Sequence, residues 1–102
     1  MIHVIATVEV KPGTREAFLS EVRKNLPNVR AEKGCIEYGP AVDLGTGIKA
    51  QIPFRENVAT IVEKWESLQA LQAHLETPHM AEYRERVKHI VLGVTLQILE
   101  PR

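Results

Sequence analysis

The first ten residues, MIHVIATVEV, are apolar or β-branched at nearly every position. Such continuous apolar character predicts a strand that is buried on both faces. After the turn residues KPG, apolar residues recur at steps of four and three, at Phe18, Val22, Leu26 and Val29. This spacing predicts an amphipathic helix, kinked at Pro27 and ending near Gly34.

Three further strands are predicted in the rest of the chain. The stretch CIEYGPAVDL alternates, and its Gly39-Pro40 pair indicates a bend or bulge in an edge strand. VATIVEKWE and VLGVTLQILE have the composition of a third and a fourth strand. The glycine- and proline-containing residues 45–57, between the second and third strands, are long for a hairpin connection, which predicts an extended arm or a functional flap.

Two short helices are predicted between the last two strands. Ser67 can cap the first of them, and Thr77 can cap the second with Pro78 at its first position. The order β-α-β-β-α(α)-β is the split βαβ pattern, so we expect one ferredoxin-like α+β domain over residues 1–102 with a four-stranded antiparallel sheet.

The helices of such a fold cover only one face of the sheet, whereas the strands are apolar on both faces. Val4, Ala6 and Val8 would point one way and Ile5 the other. A second apolar face left in water favours aggregation. We therefore expect a homodimer in which two sheets pack face to face.

Charge and composition exclude several classes of partner. Basic and acidic residues balance at 13 each, and no run of Lys or Arg occurs, so no nucleic-acid partner is expected. No apolar stretch is long enough to span a membrane, and the N-terminus has the pattern of a strand and not of a signal peptide. The single cysteine, Cys35, cannot form an internal disulfide, which favours a cytoplasmic protein.

His74 and His79 are the candidate chemical groups of the second half of the chain. Metal-binding histidines on one helix lie three or four residues apart, whereas these two lie five apart across a predicted helix boundary, so we predict no metal site. His79, at a helix start beside a possible pocket, could accept a proton. The alternative is that His79 only packs at the helix junction.

Four of the five aromatic residues could line one cavity: Trp65, Tyr38, Phe54 and Tyr83. Packing in the core is the alternative for each, and for Trp65 and Tyr83 the pattern alone favours it.

The blocks EKGCIEYGPAVD and EKWESLQALQAHLETPHMAEY resemble the antibiotic-biosynthesis monooxygenase family, close to its bacterial quinol monooxygenase branch. The likeness covers nearly the whole chain, and AHLETPHM is its most specific part. It implies a dimeric α/β barrel and a reaction of a small aromatic substrate with O2 that needs no metal, flavin or haem. His79 would be the base, with His74 as the second choice. Trp65, Tyr38 and Phe54 would hold the substrate ring.

Two departures and two alternatives accompany this resemblance. Haem-degrading relatives use an asparagine where Thr7 stands and a histidine near 83–86 that is missing here, which argues against haem degradation. An isomerase acting on a small polar metabolite would need basic pocket residues, for which Lys49, Arg55 and Lys64 are the candidates. A non-catalytic dimer that binds a small ligand is the other alternative.

Overall fold

The computed structural model describes all 102 residues. Its elements are β1 (Ile2–Val10), α1 (Arg15–Arg30), β2 (Cys35–Ala41), β3 (Val58–Trp65), α2 (Leu68–Leu75), α3 (Pro78–Val87) and β4 (Val91–Leu99). The four strands form one antiparallel sheet in the order β2-β3-β1-β4. The ferredoxin-like α+β fold is therefore confirmed, with β2 at an edge as predicted. None of the three helices has the length and apolar character needed to cross a lipid bilayer.

Both predicted helix caps are present. The Ser67 hydroxyl accepts a hydrogen bond from the Ala70 amide at 3.1 Å and begins α2. The Thr77 hydroxyl accepts from the Met80 amide at 3.3 Å, with Pro78 in the first turn of α3. These caps separate the two helices at residues 76 and 77 and thereby fix the relative positions of His74 and His79.

The core lies between the helices and one face of the sheet. Alternate residues of β1 are buried there, and Val4, Ala6 and Val8 pair with Glu63, Ile61 and Ala59 of β3. The helical stripe of α1 supplies Phe18, Val22 and Val29 to the same core. Glu63 is therefore carried to the buried face by strand alternation.

The opposite face of the sheet is more polar than predicted. Thr7 of β1 lies between Thr60 of β3 and Thr95 of β4. Ile5 and Val62 form an apolar pair beside this row, but they do not make an apolar face. The expectation of two strongly apolar faces was wrong because rows of apolar and threonine residues alternate along this outer face of the central strands.

The exposed apolar surface lies along β4. Val94, Leu96 and Ile98 pair with Val8, Ala6 and Val4 and so point to the side of the sheet that carries the helices. They remain exposed because the helices cover the other three strands and leave β4 open.

Two local predictions in the first half of the chain were wrong. Helix α1 ends at Arg30, and Gly34 lies in the following turn with a φ of 88°. The register shift of β2 lies between Cys35 and Glu37, not at Gly39-Pro40.

Residues 42–57 contain no helix or strand, and an ion pair closes the base of this segment. The Arg55 guanidinium donates from Nε and Nη2 to the two carboxylate oxygens of Asp43, at 2.9 Å each. Apolar side chains beyond this clamp are exposed, including Leu44, Ile48 and Phe54.

Gly34 is predicted to be sensitive to a single methyl group. Its positive φ is costly for other residues, and a Cβ would stand 2.6 Å from the Cβ of Ala70 in α2. Gly13 has a φ of 82° but open space around it, so Gly13→Ala is the matched control. We expect Gly13→Ala to lower the free energy of unfolding by about 1–2 kcal/mol. Gly34→Ala should lower it by about 1–3 kcal/mol more than Gly13→Ala does, because the new methyl group overpacks the turn. Urea denaturation measures both. Equal losses in the two variants would contradict the close packing of this turn on α2.

Candidate active site

A cavity of about 440 Å³ lies between the helices and the sheet. Its volume falls in the range of about 300–1,000 Å³ that small-molecule sites occupy. Apolar side chains of three strands form its floor: Ala6, Val8, Ile61, Val94 and Leu96. The roof comes mainly from α1 and α3 through Phe18, Met80, Tyr83 and Val87.

Only four side chains around this cavity are neither apolar nor aromatic hydroxyls: Glu63, His74, Arg84 and Lys88. Arg84 in α3 and Lys88 just after that helix are exposed, whereas Glu63 and His74 are buried. The interior chemistry of the cavity therefore depends on one carboxyl group, one imidazole and two phenols.

His74 is oriented by a carboxylate behind it. The residue is 1% exposed, and its Nδ1 lies 2.8 Å from Oε2 of Glu32, in the turn after α1. A carboxylate can only accept, so Nδ1 carries the proton of the neutral ring and Nε2 keeps its lone pair. Burial lowers the pKa of His74, and the hydrogen bond and charge of Glu32 oppose that shift. The result is a neutral imidazole with one nitrogen free to accept a proton.

His79 approaches the same carboxylate without lining the cavity. Its Nε2 lies 3.0 Å from Oε2 of Glu32, but the ring is not angled to form a hydrogen bond. Both of its ring nitrogens are buried and have no hydrogen-bond partner. Glu32 thus lies between two imidazoles, of which only that of His74 reaches the cavity. No group of three or more His, Cys, Asp or Glu side chains is arranged to hold a metal ion.

Trp65 contacts Glu63 and His74 but does not itself line the cavity. Its side chain is 0% exposed, and its ring centroid lies 4.5 Å from that of His74. The indole Nε1 donates to Oε1 of Glu63 at 2.9 Å. Tyr38 packs edge-on against both rings, at 6.4 Å from Trp65 and 5.4 Å from His74.

Glu63 is a buried carboxyl group with one hydrogen bond. It is 6% exposed, and the bond from Trp65 is its only hydrogen bond. Burial raises its pKa to about 7, the Trp65 hydrogen bond opposes this shift, and the charge of Glu32 adds to it. Near neutral pH this carboxyl group can therefore accept or donate a proton.

The two tyrosines remain neutral hydrogen-bonding groups. Burial, reinforced by the charge of Glu63, raises the pKa of both Tyr38 and Tyr83 well above the usual value. Tyr38 is held in place through its carbonyl, which accepts from Nε and Nη2 of Arg30 at 3.1 and 3.0 Å. Tyr83 packs against Phe18 with ring centroids 6.3 Å apart.

The structure brings together only part of the predicted set. His74, Tyr38 and Tyr83 line the cavity, whereas Trp65 lies behind it and His79 beside Glu32. Phe54 does not join them: it is 54% exposed, in the segment 42–57, and no residue of that segment lines the cavity.

The basic residues considered for an anionic metabolite are also elsewhere. Arg55 pairs with Asp43, Lys64 pairs with Glu37, and Lys49 is exposed in the segment 42–57. None of the three lines the cavity.

Two site residues were missed in the sequence. The alternation of β3 places Ala59, Ile61, Glu63 and Trp65 on one face, so a buried carboxyl group could have been predicted from that pattern. Glu32 has no comparable signal. It meets His74, 42 positions further along the chain, only after α2 packs beside the turn.

Comparisons with known proteins agree with the resemblance predicted from the sequence. The model of the family described as "Antibiotic biosynthesis monooxygenase" matches residues 1–86. The chain is 41% identical to the probable quinol monooxygenase YgiN of Escherichia coli strain K12, over 99% of this chain and 98% of that protein.

Solved structures share the fold. PA3566 from Pseudomonas aeruginosa superimposes with a TM-score of 0.81 at 25% identity, covering 99% of this chain and 93% of that one. A conserved protein from Methanosarcina mazei gives a TM-score of 0.83 at 22% identity, covering 99% of this chain and 92% of that one.

The buried carboxyl group of Glu63 should make stability depend on pH. Its pKa is about 7 in the folded protein and 4.5 as a reference, so the protonated form stabilises the fold below about pH 4.5 and this contribution is lost as pH rises through 7. Glu63→Gln keeps an acceptor for Trp65 and carries no charge. At pH 8 we expect the variant to exceed the wild type in free energy of unfolding by about 3 kcal/mol, since one pKa unit corresponds to about 1.4 kcal/mol.

The measurement is urea denaturation of both proteins at pH 4 and pH 8. The advantage of the variant should vanish near pH 4, where the wild-type carboxyl group is protonated in both states. An advantage that is equal at the two pH values would contradict the raised pKa of Glu63.

Proposed function

Because the chain belongs to the antibiotic biosynthesis monooxygenase family, we propose that it is a cofactor-independent enzyme that oxidises quinols or related dihydroxyaromatic compounds with O2. One observation carries the proposal: an apolar cavity contains a neutral imidazole, His74, whose free nitrogen is set by the bond from Nδ1 to Glu32. The family supports the monooxygenase type of chemistry, and the name of the relative YgiN supports a quinol as substrate.

The cavity provides a general base and apolar surroundings, the two features that this reaction requires of the protein. A quinol that loses a proton becomes electron-rich enough to give an electron to O2 directly. His74 takes that proton as general base, and the apolar walls exclude water from the anion. Complete oxidation gives the quinone and hydrogen peroxide. Insertion of one oxygen atom into a C–H bond of the ring gives a hydroxylated quinone and water.

The two imidazoles have different roles in this proposal. His74 touches the substrate, whereas His79 acts through Glu32, whose Oε2 lies 3.0 Å from its Nε2. This reverses the order of preference expected from the sequence, where His79 came first. The rings of Tyr38 and Tyr83 contact the substrate, and Trp65 positions His74 and Tyr38 from behind.

The protein acts as a homodimer in the cytoplasm. The exposed apolar side chains along β4 support self-association, since a surface of this kind is unfavourable in water. The single cysteine, which is free, supports a reducing compartment.

Oxygen uptake by metal-free protein with a reduced naphthoquinol tests the reaction and its base. Wild-type protein should consume O2 above the spontaneous rate. His74→Gln should lower kcat by about 10²–10⁴-fold, the usual range for loss of a general base. His79→Gln should cause a smaller decrease, because it acts only through Glu32.

His89→Gln is the matched control, since His89 is exposed and does not line the cavity. Binding of the quinol without O2 uptake would contradict the enzymatic function and favour a non-catalytic ligand-binding protein. An unchanged rate of O2 uptake in His74→Gln would be consistent with the proposed reaction but would show that His74 is not its base.

The dimer is tested by light scattering. The wild-type mass should be twice the 11.5 kDa of one chain. Ile98→Asp places a charge on the exposed strip of β4 outside the cavity lining and should shift the protein to the monomer. A dimer that is unaffected by Ile98→Asp would show that another surface forms the interface.

A further inference from the structure

Glu63 is the one acidic side chain that lines the cavity. Trp65 donates to its Oε1 at 2.9 Å, and no protein group donates to Oε2. No Lys, Arg or His nitrogen lies within ion-pair distance of this carboxyl group. A buried carboxyl group without a cation is unfavourable, and a neutral amide would accept the same bond from Trp65 at lower cost.

We propose that Glu63 is the second proton acceptor of the site and takes the proton of the second hydroxyl group while His74 takes that of the first. The inference rests on the proposed quinol oxidation. One indole positions both acceptors: the Trp65 ring packs against His74 with centroids 4.5 Å apart, and its N–H orients Glu63 by a hydrogen bond. A ring with two hydroxyl groups can thus meet two separate acceptors.

The protons and electrons balance with these two groups. His74 accepts the first proton, and the quinol anion passes one electron to O2, which gives a semiquinone and superoxide. The semiquinone gives its remaining hydroxyl proton to Glu63, and the second electron then passes to superoxide. The protons held by His74 and Glu63 convert the peroxide to H2O2, so the quinone leaves and both side chains return to their starting states.

The surroundings of Glu63 determine how it titrates. Glu32 acts on it through its charge, and five other titratable groups line the cavity with it: Tyr38, His74, Tyr83, Arg84 and Lys88. Burial dominates and brings its pKa to about 7, while burial takes the pKa of His74 below the usual range. The two groups should therefore produce separate limbs in a pH profile.

Oxygen uptake as a function of pH tests Glu63 through Glu63→Gln. We expect kcat to fall about 100-fold with little change in KM, and the limb near pH 7 to disappear. Glu37→Gln is the matched control, because Glu37 is exposed on β2 and does not line the cavity. Trp65→Phe removes the N–H that lowers the pKa of Glu63, so it should move the same limb to higher pH even if Glu63→Gln fails to fold.

A second measurement does not depend on oxidation. 4-Nitrophenol, which O2 does not oxidise and whose phenolate has its own absorption band, reports proton transfer to the cavity. At pH 7 the bound probe should keep part of this band in His74→Gln, where Glu63 is the remaining acceptor, and lose it in the double variant His74→Gln/Glu63→Gln.

The two failures are distinguishable. A phenolate band that depends on Glu63, without O2 uptake by the wild type, would overturn the proposed oxidation and retain Glu63 as a proton acceptor. Wild-type uptake with an unchanged kcat and pH limb in Glu63→Gln would overturn the role of Glu63 and retain the oxidation.

Discussion

The packing of Trp65 is the constraint on which the rest of the site depends. As the last residue of β3 it pairs with Ile2 of β1 and Cys35 of β2, so three strands fix its backbone. Its ring then packs against His74, and its N–H donates a hydrogen bond to Glu63. A buried indole needs a partner for its N–H, and here that partner is a carboxyl group at the floor of the cavity. The hydrogen bond from Trp65 to Glu63 therefore does two things: it satisfies the buried indole N–H, and it orients the carboxyl group of the site.

Burial shifts the pKa values of the two proton-handling groups in opposite directions. It lowers the pKa of His74, a base that is charged when protonated, and raises the pKa of Glu63, an acid that is charged when deprotonated. Low polarity around the cavity favours the neutral form of each group. The pKa of Glu63 rises from a reference value of 4.5 to about 7, whereas that of His74 falls below its reference value of 6.5, so burial reverses the order of the two groups as proton acceptors.

The fold was predictable from the sequence because its signals are local. The strand patterns, the Ser67 and Thr77 caps and Pro78 each depend on neighbouring residues, and each is present in the structure. The site was only partly predictable. Its aromatic and histidine residues stand out by type, but the partner of His74 is Glu32, whose position is set by the packing of α2 on a distant turn.

The errors have the same physical origin. Phe54 was grouped with the other aromatics by residue type, yet the Asp43–Arg55 clamp closes its segment away from the cavity. The outer face of the sheet was expected to be apolar from the apolar residues of the first and last strands, each taken by itself. Only the register with β3 and β4 shows that Thr7 meets Thr60 and Thr95 there.

The open side of the cavity connects the site to the assembly of the protein. Val94 and Leu96 belong both to the cavity floor and to the exposed strip of β4, because no helix covers that strand. In the proposed homodimer, a partner that buried this strip would also cover the cavity on the side of β4. Exclusion of water strengthens the electrostatic interactions of the site and protects reactive intermediates. Association and chemistry would then share one surface, so a monomer could keep its fold and its proton acceptors and still lose the enclosed environment in which they act.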